Sequence, residues 1–438
     1  MQKIQSSYLV DLLSTITARP RLGGRPSDRR SLRELCDLLL TDLGDVQSSQ
    51  VSRALLAKYS DLTAEEKLAF FEMLARDFDI DAPQLADLAT QYAAEKSADT
   101  LAKVIACAEP RRQELLRRLN RVSGATADLV AMRLELLAAM RDAPELEVID
   151  FDYLHLFRSW FNQGFLVLRR ISWDTPASIL EKIIAYEAVH AINSWEELRR
   201  RLLPEDRRCY AYFHPAMPDE PLIFVEVALT EGIAGNIQDV LAEDRPALSP
   251  EKIDTAVFYS ISNCQKGLRG ISFGNSLIKQ VVEDLKTALP GLTTFVTLSP
   301  IPGFRCWAER QLAELPEGAA DTAPLARAMA AAEDGEAGAE ALRGYVARYL
   351  IEEKHPRGGP LDPVARFHLG NGALVHEINL GADLSANGLR QSCGAMVNYL
   401  YDPAQIDRNI EGHSASGSVA HTRALASLLK SHAAKTKN

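Results

Sequence analysis

The sequence predicts a multidomain α and α/β protein, an N-terminal helical bundle followed by a mixed α/β half. Three observations carry this expectation. At 438 residues the chain exceeds what one ordinary core holds. From Ser31 to about Asp142 apolar residues recur at helical spacing, as in Leu32, Leu35, Leu39, then Leu68, Phe71, Leu74, then Leu134, Leu137. After Pro144 short β-branched and aromatic runs take over, at residues 209–213, 222–229, 256–261 and 293–298, with turn residues such as 218–221 between them.

The helical region is rich in Ala, Leu, Glu and Arg, and helix starts are marked by Thr63 with Glu66 and by Ser97 with Thr100. Its polar residues are expected on the faces a bundle leaves to water, so it reads as an assembly or substrate-access domain covering residues 1–152. The remainder, 153–438, is the expected catalytic domain. Within it residues 314–344, rich in Ala, Gly and acids, are expected to form one or two surface helices with a loose joint near 335–338.

Composition narrows the function classes. Hydrophobic residues make up 47% and charged residues 25%, which suits a folded protein and not a disordered one. Lys and Arg number 49 against 59 Asp and Glu, a net charge of −10 that speaks against nucleic acid as partner. The longest apolar run, 221–230, is interrupted by Glu226 and falls well short of the roughly 20 residues a membrane span needs. The six cysteines include no CxxC pair and read as buried thiols of a reducing compartment. The first residues lack a secretory core, Asp11 and Asp28 argue against a transit peptide over 19–30, and KTKN is not a peroxisomal address. The cytoplasm is expected.

Three features could carry chemistry. The first is a strand, a loop bearing Gly267, Gly270 and Gly274, a helix over 275–289 and a second strand over 293–298. Free amides at such a helix start suit a pyrophosphate, and Lys266 and Arg269 add positive charge. A turn requiring positive φ fits the glycines equally. The spacing is neither GxGxxG nor a Walker sequence. The second feature is Ser299, at the carboxyl end of a strand and stiffened by Pro300 and Pro302, where α/β sheets bind ligands; a plain turn serine is the alternative, and no GxSxG elbow surrounds it. The third is His368, beside the turn 370–372, suited to proton transfer by its ordinary near-neutral pKa or else a structural hydrogen bonder. His376 lies eight residues on without a supporting carboxylate or Cys cluster, so no metal is expected.

The segments EAVHAINSWEELRRRL (187–202), EPLIFVEVALT (220–230), TLSPIPGF (297–304), DPVARFHLGNGA (362–373) and SCGAMVNYLYD (392–402) together resemble the malonyl-CoA decarboxylase family, in order over most of 151–402. The resemblance implies a helical N-terminal domain and a GNAT-like catalytic domain, the acetyltransferase fold in which a loop and helix start receive the CoA pyrophosphate and the pantetheine arm runs between splayed strands. It places Arg269, Gly270, Ile271, Ser272, Phe273, Gly274 and Asn275 on the CoA-binding loop, Ser299 and His368 on the catalytic serine and histidine, and Tyr401 on a tyrosine of the site. Ser272 stands where members can carry glutamate, so no role of that acid transfers. Malonyl-CoA as substrate, acetyl-CoA as product, no cofactor beyond CoA itself and a homo-oligomer, plausibly a tetramer, are the further implications. An N-acyltransferase of the same fold and a non-catalytic CoA-binding scaffold are the competing readings.

Overall fold

The structure, a computed structural model, describes residues 28–245, 248–271, 273–315, 323–335, 339–356 and 358–435. The expectations about the first 27 residues and about Ser272 therefore lie outside the described residues. The chain divides into two compact units, one ending at Leu156 and one beginning at Phe157.

The first unit is helical: α1 (Leu32–Leu39), α2 (Asp45–Ser60), α3 (Ala64–Asp77), α4 (Ala82–Glu95), α5 (Ala98–Cys107), α6 (Arg111–Asn120), α7 (Ala125–Ala139) and α8 (Glu147–Trp160). Local chemistry sets several starts. Ser31 with Glu34 and Thr63 with Glu66 form capping boxes, and Asp81 and Ser97 cap the helices that follow them. Leu35, Leu55, Phe71, Leu115, Leu129 and Leu136 fill the interior. Helical structure continues beyond the change of texture at Pro144, which opens a 3-10 turn over Pro144–Leu146 that runs into α8.

The expectation that polar residues here stay in water is corrected by two buried ion pairs. Arg133 Nε meets Asp150 Oδ1 at 2.7 Å, and Arg112 pairs with Asp152, both side chains being almost fully enclosed. A planar guanidinium can satisfy a carboxylate at close range, which offsets the cost of removing both charges from water.

The second unit is built on one sheet: β1 (Val167–Ile171), β2 (Arg207–Phe213), β3 (Ile223–Thr230), β4 (Thr255–Asn263), β5 (Thr294–Thr297), β6 (Ser299–Pro300), β7 (Leu374–Asn379) and β8 (Met396–Leu400). Strand order is β1-β2-β3-β4-β5-β8-β6, with β7 also on β8. Among the strands of the described residues only β4 and β5 pair in parallel, joined by the crossover helix that a parallel neighbour requires. The connecting helices named here are α9 (Ala177–Tyr186), α10 (Trp195–Leu202), α11 (Ile237–Leu241), α12 (Gly274–Ala288), α13 (Phe304–Ala313), α14 (Pro324–Glu333), α15 (Glu340–Ile351), α16 (Pro363–Gly370), α17 (Ala386–Ser392), α18 (Ile406–Ser416) and α19 (Arg423–Lys435).

Alternation along the strands separates two faces. On one, Cys209, Ala211, Phe213 and Phe224 pack with Ile179, Leu180, Ile183, Leu198 and Leu202 of α9 and α10. On the other, the hydroxyls of Tyr210 and Tyr212 donate to Asp284 and Gln280 of α12, each at 2.7 Å.

The strands read from the sequence fall close to β2, β3, β4 and β5, whereas β1, β7 and β8 carry no comparable run. The 314–344 stretch needs correction too. Helix α14 lies within it, but α15 begins there and is no surface helix, since Leu342, Val346, Ala347 and Leu350 are fully buried. Small residues permit this: a Cβ on Gly344 would stand 2.5 Å from the ring of His432 in α19. Residues 336–338 of the expected joint lie outside the described residues.

Replacing Asp150 by Ala leaves the Arg133 guanidinium, 2% exposed, without that carboxylate. Urea unfolding of the whole chain should show the helical unit losing about 3–5 kcal/mol. A loss within 1 kcal/mol would mean the pair is solvated.

Candidate active site

The parting of β4 from β5 creates the site. They pair from Thr255 with Thr294 to Phe258 with Thr297, and the Leu298 N–H reaches the Phe258 carbonyl at 2.9 Å. Beyond that point β4 continues to Asn263, while Ser299 turns to pair with Val397 of β8. A bulge at Tyr259, opposite the step from Glu226 to Val227, bends β4 further. The result is an open wedge with Ser299 on its β5 side.

Ser299 is held from below. Its hydroxyl donates to Thr297 Oγ1 at 2.8 Å, and that oxygen also accepts the Tyr399 N–H at 3.2 Å. Asn398 secures the same strand, its Nδ2 donating to the Thr297 carbonyl at 2.9 Å and to the Ala234 carbonyl at 3.1 Å.

His368 arrives on α16, in the last helical turn and not in the turn itself. Asp362 caps that helix, accepting the Val364 and Ala365 N–H groups at 2.9 Å each. The Tyr349 hydroxyl donates to Asp362 at 3.3 Å, and burial pushes the Asp362 carboxyl above its usual range. Two glycines of the sequence blocks have geometric reasons. A Cβ on Gly303 would lie 2.2 Å from the Tyr349 hydroxyl, and Gly372, at φ +84°, would bring one to 2.6 Å from the Ile406 carbonyl as the chain leaves α16. His376 lies apart, on β7.

The imidazole joins the remaining groups. Nε2 lies 3.1 Å from Ser299 Oγ, Nδ1 lies 2.8 Å from the Tyr401 hydroxyl, and the ring stacks on Tyr399 with centroids 4.6 Å apart. Ser299, His368 and Tyr401 are 5%, 3% and 3% exposed. Burial alone pushes His368 down to about 3 and Tyr401 well above a free phenol. The near-neutral histidine expected from the sequence is thus corrected to a ring that stays uncharged. Tyr401 remains a phenol and donates to Nδ1. The proton of neutral His368 is therefore on Nε2, facing Ser299, whose own hydrogen points to Thr297. The hydrogen bonds run in one direction, from Tyr401 through His368 and Ser299 to Thr297.

The sequence reading placed Ser299, His368 and Tyr401 in one site, and the structure brings the three together. It missed Thr297, Tyr399 and Asn398. Thr297 was accessible by strand periodicity, since i and i+2 share a face, as do Tyr399 and Tyr401.

The loop lies at the other side of the wedge, after β4. Lys266–Leu268 form a 3-10 turn, Arg269 and Gly270 are exposed, and Gly270 sits at φ +87°. Ile271 is half-buried. Phe273 is turned inward, edge-on to Phe161 at 6.3 Å, and supplies no side-chain cap to α12. Gly274 and Asn275 occupy the first turn of that helix, whose leading amides have no intrahelical acceptor. Among the described residues no three His, Cys, Asp or Glu side chains group to hold a metal ion.

The malonyl-CoA decarboxylase C-terminal domain model matches residues 164–438, and the N-terminal domain model of that family matches 78–161. The chain belongs to the malonyl-CoA decarboxylase family. It is similar to the crystal structure of malonyl-CoA decarboxylase from Agrobacterium vitis, with 46% identity and a TM-score of 0.85 over 91% of this chain and 99% of that one. The Rhodopseudomonas palustris structure gives 47% identity and a TM-score of 0.82 over 90% and 98%. The mitochondrial malonyl-CoA decarboxylase of Rattus norvegicus is 34% identical over 85% of this chain and 84% of its own length. The family expected from the motif blocks is established. No helix of the described residues is long and apolar enough to cross a membrane.

The low pKa of His368 has a measurable sign. Between about 3 and the ordinary histidine value near 6.5 the unfolded chain binds a proton that the folded ring refuses, so acid favours unfolding. The stability of the wild type relative to His368→Asn should be constant above pH 6.5 and fall by about 1.4 kcal/mol per pH unit below it. Urea titrations from pH 4 to 8 measure this; a pH-independent difference would mean the ring protonates in the fold.

Proposed function

We propose that Ser299, His368 and Tyr401 carry out the decarboxylation of malonyl-CoA that family membership assigns to this chain, as a proton relay and without a metal or redox cofactor. The observation that carries this reading is the hydrogen-bond chain that links Tyr401 through His368 to Ser299 at the wedge, where the serine hydroxyl rests on Thr297. The CoA pyrophosphate would meet the amides of Gly270, Ile271, Phe273, Gly274 and Asn275 and the Arg269 side chain, and the pantetheine arm would follow the backbone of β4 beyond Phe258. This places the malonyl group at the Ser299 side of the wedge.

The chemistry then needs little more. The C–CO2 bond breaks, its electron pair moves into the thioester carbonyl, and CO2 departs. The resulting enolate takes a proton at carbon, giving acetyl-CoA. Ser299 Oγ–H, which rests on Thr297 in the free site, would turn to the enolate carbon and act as the immediate donor. The His368 Nε2 proton would pass to the serine oxygen as Tyr401 gives its own to Nδ1, and as product leaves water would reprotonate Tyr401 and the ring would return to its Nε2–H tautomer. The thioester is itself the electron sink, which is why no cofactor is required. A covalent malonyl-serine would release CoA before decarboxylation and needs a base to take the Ser299 proton, a role disfavoured for a histidine whose burial lowers its proton affinity and whose Nε2 already carries a proton.

We also propose a cytoplasmic homo-oligomer, a tetramer. All six cysteines are unpaired, as in a reducing compartment, and the helical unit exposes Leu101, Ile105, Leu134 and Phe151.

Mass spectrometry of purified protein with malonyl-CoA should detect acetyl-CoA without any amine acceptor. Ser299→Ala should lower kcat by about 10²–10⁴-fold with little change in KM. Thr297→Val, which removes the acceptor that orients Ser299, should cost about tenfold in kcat, and Thr297→Ser should recover most of it. Undiminished turnover in Ser299→Ala would remove it from the mechanism.

Because the relay starts from neutral His368, single-turnover rates should be level from about pH 5 to 8. A fall centred near pH 6–7 would identify an imidazolium donor instead. EDTA should leave the rate unchanged; loss restored by a divalent ion would reveal a metal requirement.

A further inference from the structure

A second concentration of buried charge lies away from the wedge. Arg207 opens β2 and pairs in register with Ala228, which pairs with Val257 near the start of β4. The CoA loop follows the opposite end of β4, about 20 Å of strand away. Around Arg207 is a cavity of about 250 Å³ whose wall includes the guanidinium groups of Arg200, Arg201, Arg207 and Arg245. The acids on its wall are Glu197 and Glu243.

Those acids, and the two behind the wall, are already engaged. Glu197 accepts the Asn193 N–H at 2.8 Å, and Glu243 meets Arg200 at 2.9 Å. Glu226, fully buried on β3, pairs with Arg201 through Oε2 at 3.0 Å, while its Oε1 is buried without a hydrogen-bond partner. Asp206 is shared, at 2.8 Å from Arg207 and 3.4 Å from Arg245. One carboxylate thus serves two guanidinium groups, each carrying five N–H donors. Main-chain carbonyls of Val240 and Ala242 take one donor each from Arg207 and Arg245, at 2.6 and 2.8 Å. Arg245 Nε is nevertheless buried with no hydrogen-bond partner.

A buried donor without an acceptor is costly, and so are neighbouring like charges away from water. Burial holds Arg207 below its ordinary range, and the positive charge of Arg245 adds to that shift. Arg200 and Arg245 keep 31% and 19% of their side-chain surface exposed, so the cavity has a route to solvent.

We propose that this cavity binds a small oxyanion, its oxygens bridging Arg207 and Arg245 and taking the free Arg245 Nε–H, at a site separate from the substrate. Phosphate and a short dicarboxylate share that chemistry, and both suit the forked geometry of guanidinium. The inference stands on this cavity alone and not on the assignment of Ser299 and His368.

The test uses the full chain with CoA present at saturation, so that the pyrophosphate loop is filled. Isothermal titration with inorganic phosphate and with malonate, against chloride at equal ionic strength, should show saturable binding of at least one. Phosphate alone would identify a phosphoryl source, malonate alone a carboxylate source, and both would fit a general oxyanion site. Arg245→Gln should weaken that binding at least tenfold while leaving kcat/KM for malonyl-CoA unchanged. Arg200→Gln, at the more exposed mouth, should weaken it less and serves as the second variant if the first fails to fold. No saturable binding, or binding equal to wild type in both variants, would overturn the proposal.

Discussion

The geometry of the active site depends on one constraint, that β5 can pair with β4 only as far as Phe258 and Leu298. Continued parallel pairing would place Ser299 inside a closed ladder. Instead Ser299 and Pro300 change partner to Val397 and Met396 of β8. That exchange opens the wedge and simultaneously draws β8 under the serine. Tyr399 and Tyr401 come with it, on the face that receives α16 and His368. A strand that leaves its neighbour exposes main-chain donors and acceptors, a cost that a buried sheet normally avoids. Here it is met on one side by Asn398, which bonds two carbonyls near the break.

The same burial that makes the break expensive decides protonation. Ser299, His368 and Tyr401 sit in a nearly dry layer, and the only influence moving His368 and Tyr401 from their ordinary pKa values is loss of water. The imidazole is neutral, so each ring nitrogen must have a definite role, and the phenol settles which. Thr297 completes the ordering by accepting from Ser299. Four side chains from three separate strands and one helix therefore behave as one directed unit.

Much of this was legible in the sequence, for reasons that differ by element. Helices α1 to α7 carry their own periodicity and several of their own caps, as at Thr63 and Glu66. Strands β2 to β5 are buried runs that announce themselves. By contrast β7 and β8 mix apolar residues with His376, Glu377, Asn379 and Asn398, and they become strands through pairing with each other and with β5 and β6. Arg112 and Arg133 looked like solvent-facing residues because nothing local shows that Asp152 and Asp150 will meet them. Ser299 and His368 are 69 residues apart and separately unremarkable, a serine before proline and a histidine near a turn. The motif blocks joined them by resemblance; the physical junction is β8, which no local pattern revealed.

Among the described residues the hydrogen-bond partners of Ser299, Thr297 and the neutral ring of His368, carry no charge, which bears on the group the serine would serve in the proposed relay. A malonyl carboxylate concentrates its charge on two oxygens, whereas the transition state for CO2 loss spreads that charge towards the thioester. A dry site without a neighbouring cation penalises the concentrated charge more than the dispersed one, and so favours bond cleavage. Hydrogen bonds aimed at the carboxylate would undo part of that difference by stabilising the ground state. In the proposed relay, a single hydroxyl backed by His368 Nε2 and Tyr401 would contribute only as the enolate forms. The depressed pKa of His368 belongs to the same design: an imidazolium at that position would supply the counter-charge that holds the carboxylate in place.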